Sequence, residues 1–253
     1  MRMCLAADDP LAVVATHAVQ SGDVDGLHAL LVEHPGLSNA EIGDRGPSGM
    51  SRSLLHAATD WPGHYPNNVA VVKMLIDHGA DVNSRFSGPH TETPLHWTAS
   101  SDDVEVLDVL LDAGADINAP GAVIGGGTPI ADATAFAQWN AARRFVERGA
   151  ETNLYQSAAM GLLDRIEPLF AGATPPTADD ITHAFWGACA GGQLVAAQFL
   201  AGKGADVNWV STWDGLTPLE AARRSRDQND ALDLAERQHD RQFQDVISWL
   251  EQL

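Results

Sequence analysis

The sequence predicts an all-α array of stacked helix pairs, and three observations carry that prediction. The string Gly-Ala-Asp/Glu-x-Asn recurs at Gly79–Asn83, Gly114–Asn118, Gly149–Asn153 and Gly204–Asn208, with the first three copies 35 residues apart. A second string, Thr-Pro-Leu/Ile, stands at Thr93–Leu95, Thr128–Ile130 and Thr217–Leu219. Between the two strings, apolar residues fall at helical spacing. A fixed period of this length marks a chain that buries its core by stacking neighbours, with no need of a globular centre.

Residues 93–118 contain every part of one unit. The Thr93 hydroxyl can accept from a free N–H of the first helical turn. Pro94 follows where a helix has no use for its own N–H. Leu95, Thr98 and Ala99 give the first helix a narrow apolar face. Asp102 and Asp103 break the chain and restart it. Val106, Leu107, Leu110 and Leu111 then share one face of a second helix. Gly114 ends it in the left-handed conformation that glycine adopts most cheaply.

The other units follow in order. Leu11 to Gln20 and Val24 to Glu33 read as a degenerate first pair around Ser21-Gly22-Asp23, with Leu27, Leu30 and Leu31 as the buried stripe. Residues 41–51, rich in Gly, Pro and Ser, read as a surface loop. The second pair runs from Ser53 to Asn83. From His56 to Gly79 is 23 residues, against 18 from His96 to Gly114, so five residues are inserted. They lie within Asp60–Asn68, where Pro62, Gly63 and Pro66 prevent a helix.

The fourth pair, Thr128 to Asn153, has Trp139 opening its second helix. The fifth, Leu154 to Phe170, is short and ends in a break at Ala171–Thr177. The sixth spans Asp180 to Asn208. The last begins at Thr217, passes through a charged stretch from Arg223 to Gln242, and closes on Val246, Ile247, Trp249 and Leu250.

Thr93-Pro94-Leu95-His96 in one register with Gly114-Ala115-Asp116-Ile117-Asn118 resembles the ankyrin-repeat family, whose period is roughly 33 residues. The resemblance implies an ankyrin solenoid of about seven units as a single array over residues 1–253. Residues 1–40 would be the N-terminal capping repeat, 52–213 the central repeats and 214–253 the C-terminal cap. It also implies hairpin-like fingers between units, a concave inner face, and a structural role for His56 and His96 as braces between repeats. Ala131 leaves the fourth unit without that brace. Trp186 takes the place of the His in the sixth, so its packing must differ.

The family pattern places Asp60, Trp61, Trp97 and Ser100 on the inner face, followed by Asp132 and Phe136. Fingers add Phe86, His90, Glu92, Trp209 and Trp213. Rigid aromatic rings of this kind are favoured at binding hot spots, because they bury much area at little entropic cost. The function this implies is binding of a protein or peptide in the groove, with a non-enzymatic scaffold favoured over an enzyme.

A second reading treats the 60–68 insertion and the long fingers as a roof over a small-molecule pocket. His64, His90 and Asp132 would then be the catalytic acid–base groups. No tight ligand spacing supports a metal site, and no cofactor is expected. Gly125-Gly126-Gly127-Thr128 precedes a helix start but lacks a following Lys, which favours a flexible finger over a phosphate cradle.

The totals narrow the partners. The chain of 253 residues carries a formal net charge of −19, with 45% hydrophobic and 19% charged residues. That charge repels nucleic-acid backbone and anionic membrane and favours a basic protein. Cys4 and Cys189 alone cannot form a disulfide framework or a zinc site; Cys189 reads as a small apolar filler. The first residues hold too short an apolar run for a secretory leader, and no run is long enough to span a membrane. A cytoplasmic location is the expectation.

Overall fold

The computed structural model describes residues 3–44, 49–230 and 240–253. Its residues group into two compact units, Met1–Ala150 and Glu151–Leu253. The fold is an all-α repeat solenoid with one small sheet in the first unit.

Unit 1 opens with strand β1 (Cys4–Leu5), then helices α1 (Pro10–Ser21) and α2 (Val24–Glu33). A 3-10 turn at Leu37–Asn39 leads to strands β2 (Glu41–Gly43) and β3 (Ser51–Arg52). Three helix pairs follow: α3 (Leu54–Thr59) with α4 (Asn68–Asp77), α5 (Pro94–Ser101) with α6 (Val104–Asp112), and α7 (Pro129–Ala135) with α8 (Trp139–Glu147). The first helices of the pairs stack α1, α3, α5, α7 in an inner row, and the second helices stack α2, α4, α6, α8 in an outer row. Leu54, Leu55, Leu75, Leu95, Leu107, Leu110, Ile130 and Phe145 are fully buried between them. Val106, Leu107 and Leu110 are buried as their spacing predicts, while Leu111 at the edge of that stripe is half-buried.

The segment expected to be a plain surface loop at 41–51 contributes two strands. β2 lies parallel to β1 with Cys4 opposite Glu41, and antiparallel to β3 with Ile42 opposite Arg52. Ser51 and Ser87 then exchange both backbone hydrogen bonds at 2.9 Å. The composition of the loop hid this, because the ladder partners lie far away in sequence.

The recurring Gly-Ala-Asp-x-Asn string has a complete physical account here. Gly79 and Gly114 sit at φ 84° and 92° in space that a Cβ would leave unfilled, so the demand is one of conformation alone. The Asp81 carboxylate accepts from the Asn83 N–H at 3.0 Å, and Asp116 does the same for Asn118. The Asn83 side chain crosses to the next repeat, accepting from Asp116 N–H at 2.8 Å and donating to the Gly114 carbonyl at 3.2 Å. Asn39 makes the same crossing to Asp81 and Gly79. The first repeat, degenerate in sequence, therefore still carries the connecting residue.

Unit 2 holds α9 (Leu154–Ala159), α10 (Leu163–Ala171), α11 (Ala178–Ala190), α12 (Leu194–Gly202), α13 (Pro218–Asp230) and α14 (Asp240–Leu250). α9, α11 and α13 stack in one row, and α12 packs on α14. Ile166, Phe185, Cys189, Leu200, Val246 and Ile247 share one buried cluster, on which Trp249 leans. Cys189 is a buried filler, as expected, and burial pushes its thiol far above the ordinary range. The charged stretch after Thr217 is a regular helix as far as Asp230; residues 231–239 lie outside the described set.

Candidate functional site

The inner helices of unit 1 begin at the fingers, and the way they begin fixes the site. In α3 the Nδ1 atom of His56 accepts from the Ser53 N–H at 3.3 Å, and its Nε2–H donates to the Glu92 carbonyl at 3.1 Å. A backbone N–H can only donate, so Nδ1 is the acceptor and the proton sits on Nε2. His96 repeats this in α5, accepting from Thr93 N–H at 3.0 Å and donating to the Gly127 carbonyl at 3.4 Å. Burial drives both rings towards the neutral form, to a pKa of about 3 for His56 and about 4 for His96. Both act as braces from one repeat to the next finger.

Around this brace stand the rings expected at the site. Trp97 meets His56 edge-on at 4.9 Å and Phe86 at 5.6 Å between centroids. Phe86 and Trp97 are half-buried, so they wall the inner face near the finger root. Phe136 at the end of α7 and Trp61 after α3 are exposed, Trp61 by 77%. His90 is exposed on its finger. The Ser100 hydroxyl donates to the His96 carbonyl, and the Ser100 carbonyl accepts from the Gln138 side chain at 3.0 Å. Ser100 thus joins two repeats.

The 60–68 insertion is an ordered clamp at the opposite ends of these helices. His64 Nε2 bonds the Ser101 carbonyl at 2.9 Å, and the His64 N–H reaches Asp103 at 3.3 Å. Asn67 donates to the Gly22 carbonyl at 3.0 Å. Buried Asn68 donates to the Ala58 carbonyl at 2.9 Å and to Asp103 at 3.1 Å. Asp60 pairs with Arg52. The insertion therefore ties the turns of three consecutive repeats. His64 stands at the C-terminal end of α5 and His90 just before its N-terminal end, separated by a helix of about 12 Å. The three residues proposed as acid–base partners are not brought together, because the insertion packs on the turns and leaves the fingers free of it.

Glu92 and Asp132 are the polar centre of the finger side. Their relative exposures are 5% and 0%. The Asp132 carboxylate accepts from the Ile124 N–H at 3.4 Å and from the Val123 N–H, yet Asp132 Oδ2 and Glu92 Oε2 have no hydrogen-bond partner. Burial first, and the nearby Glu92 charge after it, push Asp132 up to about 7. Sequence reading found both residues through the family pattern. It could not find their burial, which depends on two fingers lying side by side.

In unit 2, the finger residues Trp209 and Trp213 come together, 5.2 Å apart. They also collect two partners. His183 lies 4.8 Å from Trp209, and Trp186 lies 5.2 Å from Trp213. His183 was missed by sequence reading, although it stands three residues before Trp186, one helical turn away. Trp186, whose packing was expected to differ from that of a His, still forms a brace. Its Nε1–H donates to the Leu216 carbonyl at 3.0 Å, directly before Thr217, as His56 does to Glu92 before Thr93.

A sequence model of ankyrin repeats, in three copies, matches residues 15–121. The braces, fingers and paired helices above agree with that match, which supports an ankyrin-repeat protein. Ankyrin repeats generally mediate protein–protein interaction. No curated protein matches the chain. Among the described residues, no helix is long and apolar enough to cross a membrane, and no group of three or more His, Cys, Asp or Glu residues could hold a metal ion.

Proposed function

We propose that unit 1 binds a protein or peptide along its inner helices and fingers, and that a basic partner is preferred. The observation that carries this reading is Trp61. Its ring is 77% exposed, yet it belongs to an insertion held by hydrogen bonds to three repeats. A large apolar ring carried on an anchored loop gains by being covered, and its two side-chain torsions cost little entropy to fix. Phe136, Val123 and Ile124 are also exposed, between 40% and 47%. Trp97 and Phe86 supply a firmer wall. The net charge of −19 supports a basic partner. Trp213, 52% exposed, offers unit 2 its own aromatic contact. The small-molecule reading has less support, since the ring of His64 is engaged by the Ser101 carbonyl.

Native mass spectrometry of the protein from its own source tests the proposal. A second polypeptide in fixed ratio is expected. Trp61→Ala should weaken its capture by roughly 30-fold, a hot-spot loss of about 2 kcal/mol, with an unchanged melting curve. A bound small mass in place of a polypeptide, or full capture by the variant, would overturn it.

A further inference from the structure

We propose that Glu92 and Asp132 form a slot for one primary ammonium group, the side chain of a lysine carried by the partner that docks on unit 1. The inference rests on the protein-binding reading above. It begins with two buried oxygens that receive no donor, Glu92 Oε2 and Asp132 Oδ2. A buried acceptor left unmade is costly, and a negatively charged one more so, which is why native folds rarely keep such groups without a use. No ion pair among the described residues engages either carboxylate; the nearby Arg85 guanidinium donates to the carbonyls of Thr91 and Pro120.

The two carboxylates lie at neighbouring fingers, close enough for the Glu92 charge to act on Asp132. Glu92 ends the finger that leads into α5. Asp132 stands in the first turns of α7 and accepts from the amides of the next finger. The fingers are joined between them by Thr91 N–H to the Gly121 carbonyl at 3.3 Å. Gly121 permits this approach, because a Cβ there would come within 2.4 Å of the Thr91 carbonyl oxygen. Val123 and Ile124, whose amides cover Asp132, are followed by Gly125 and Gly126 at φ 62° and 69° with open space around them. The cover over Asp132 is a tight turn, closed by the Gly126 N–H to the Ala122 carbonyl and the Gly127 N–H to the Ile124 carbonyl, both at 3.1 Å, so an entering cation must displace this turn.

The chemistry of the slot selects the cation. An ammonium carries three donors on a slim stem and can serve both orphan oxygens at once, whereas a guanidinium is a wide planar fork. A divalent ion needs six or more oxygens, so two carboxylates would have to be completed by several waters carried into a buried site. The exposed side chains of Val123 and Ile124 offer apolar surface to the methylenes of a lysine stem.

The test is carboxyl-detected NMR titration of Asp132 in the full-length protein, with n-butylammonium as probe. Tetramethylammonium, butylguanidinium and magnesium serve as controls at matched ionic strength. Butylammonium should lower the Asp132 midpoint, near pH 7 in the free protein, by about one pH unit or more. The near-isosteric Glu92→Gln should weaken that response by about tenfold. No shift with butylammonium, or an equal shift with tetramethylammonium, which has no N–H to donate, would overturn the slot. A response to guanidinium or magnesium alone would overturn it as well. The two readings fail separately. If Trp61→Ala releases the partner while butylammonium leaves Asp132 unmoved, the docking face stands and the lysine slot falls.

Discussion

Single residues in this protein hold charge states that their neighbours impose. His56 and His96 are kept neutral by burial and by an accepting bond at Nδ1, with folded-state values of about 3 and about 4. Their unfolded value is near 6.5, so the unfolded chain binds protons first as pH falls. Stability is therefore full above about pH 6.5 and should decline steadily between there and about pH 3. Urea unfolding at a series of pH values checks this, and His56→Gln should flatten part of the slope. Asp132 has the opposite sign. Its folded-state value of about 7 lies above its ordinary value of 3.8, so the fold costs most above pH 7, where the carboxylate is charged. Asp132→Asn keeps the acceptor for the finger amides and removes the charge. It should raise stability at pH 8 by on the order of 1–3 kcal/mol and have almost no effect near pH 4.

Elements in this fold are joined by single side chains that serve two repeats. Asp102 illustrates this. It stands at φ 57° at the end of α5, and its carboxylate accepts from the Ala141 N–H at 2.6 Å, capping α8 of the following repeat. The 60–68 insertion works in the same way between turns, with Asn68 as its buried anchor. Asn68→Ala would leave the Ala58 carbonyl and Asp103 without that donor. It should cost about 1–3 kcal/mol and raise amide exchange across 61–67 before the helices open. Unchanged protection there would show that Asn67 and His64 suffice. Trp186→Phe removes the Nε1–H that reaches the Leu216 carbonyl together with part of a buried ring that packs on Trp213, and a loss of about 2–4 kcal/mol in unit 2 is expected, read from the melting of its remaining tryptophan fluorescence. A loss near zero would mean that the ring packs without needing the bond.

At the scale of the whole molecule the charge of −19 is the dominant fact. It is spread over both units and is screened within about 8 Å at physiological salt, so its main effect is on encounter and partner choice. Association with a basic partner should slow steeply between about 50 and 500 mM salt, while dissociation changes little. Stopped-flow rates at several salt concentrations would show it, and a salt-independent on-rate would remove charge from the recognition argument.

The repeat architecture was legible because each unit writes its local rules into a short string. Thr-Pro starts the helix, Gly at positive φ ends it, and Asp and Asn close the turn that follows. These rules act within a few residues and survive in the sequence even where whole repeats are degenerate. The candidate rings and acids were legible as well, by position in the unit. Tertiary structure alone decided the rest, because each feature needs partners far apart in the chain. It turned 41–43 and 51–52 into strands by pairing them with each other and with residues 4–5 and 87. It spent His64 on the turn of the next repeat, and it let Trp186 take over the brace of a missing His. By laying two fingers together it buried Glu92 and Asp132 with two oxygens unpaired. Hydrogen bonds and burial between repeats are properties of stacking, and stacking is what a local string does not record.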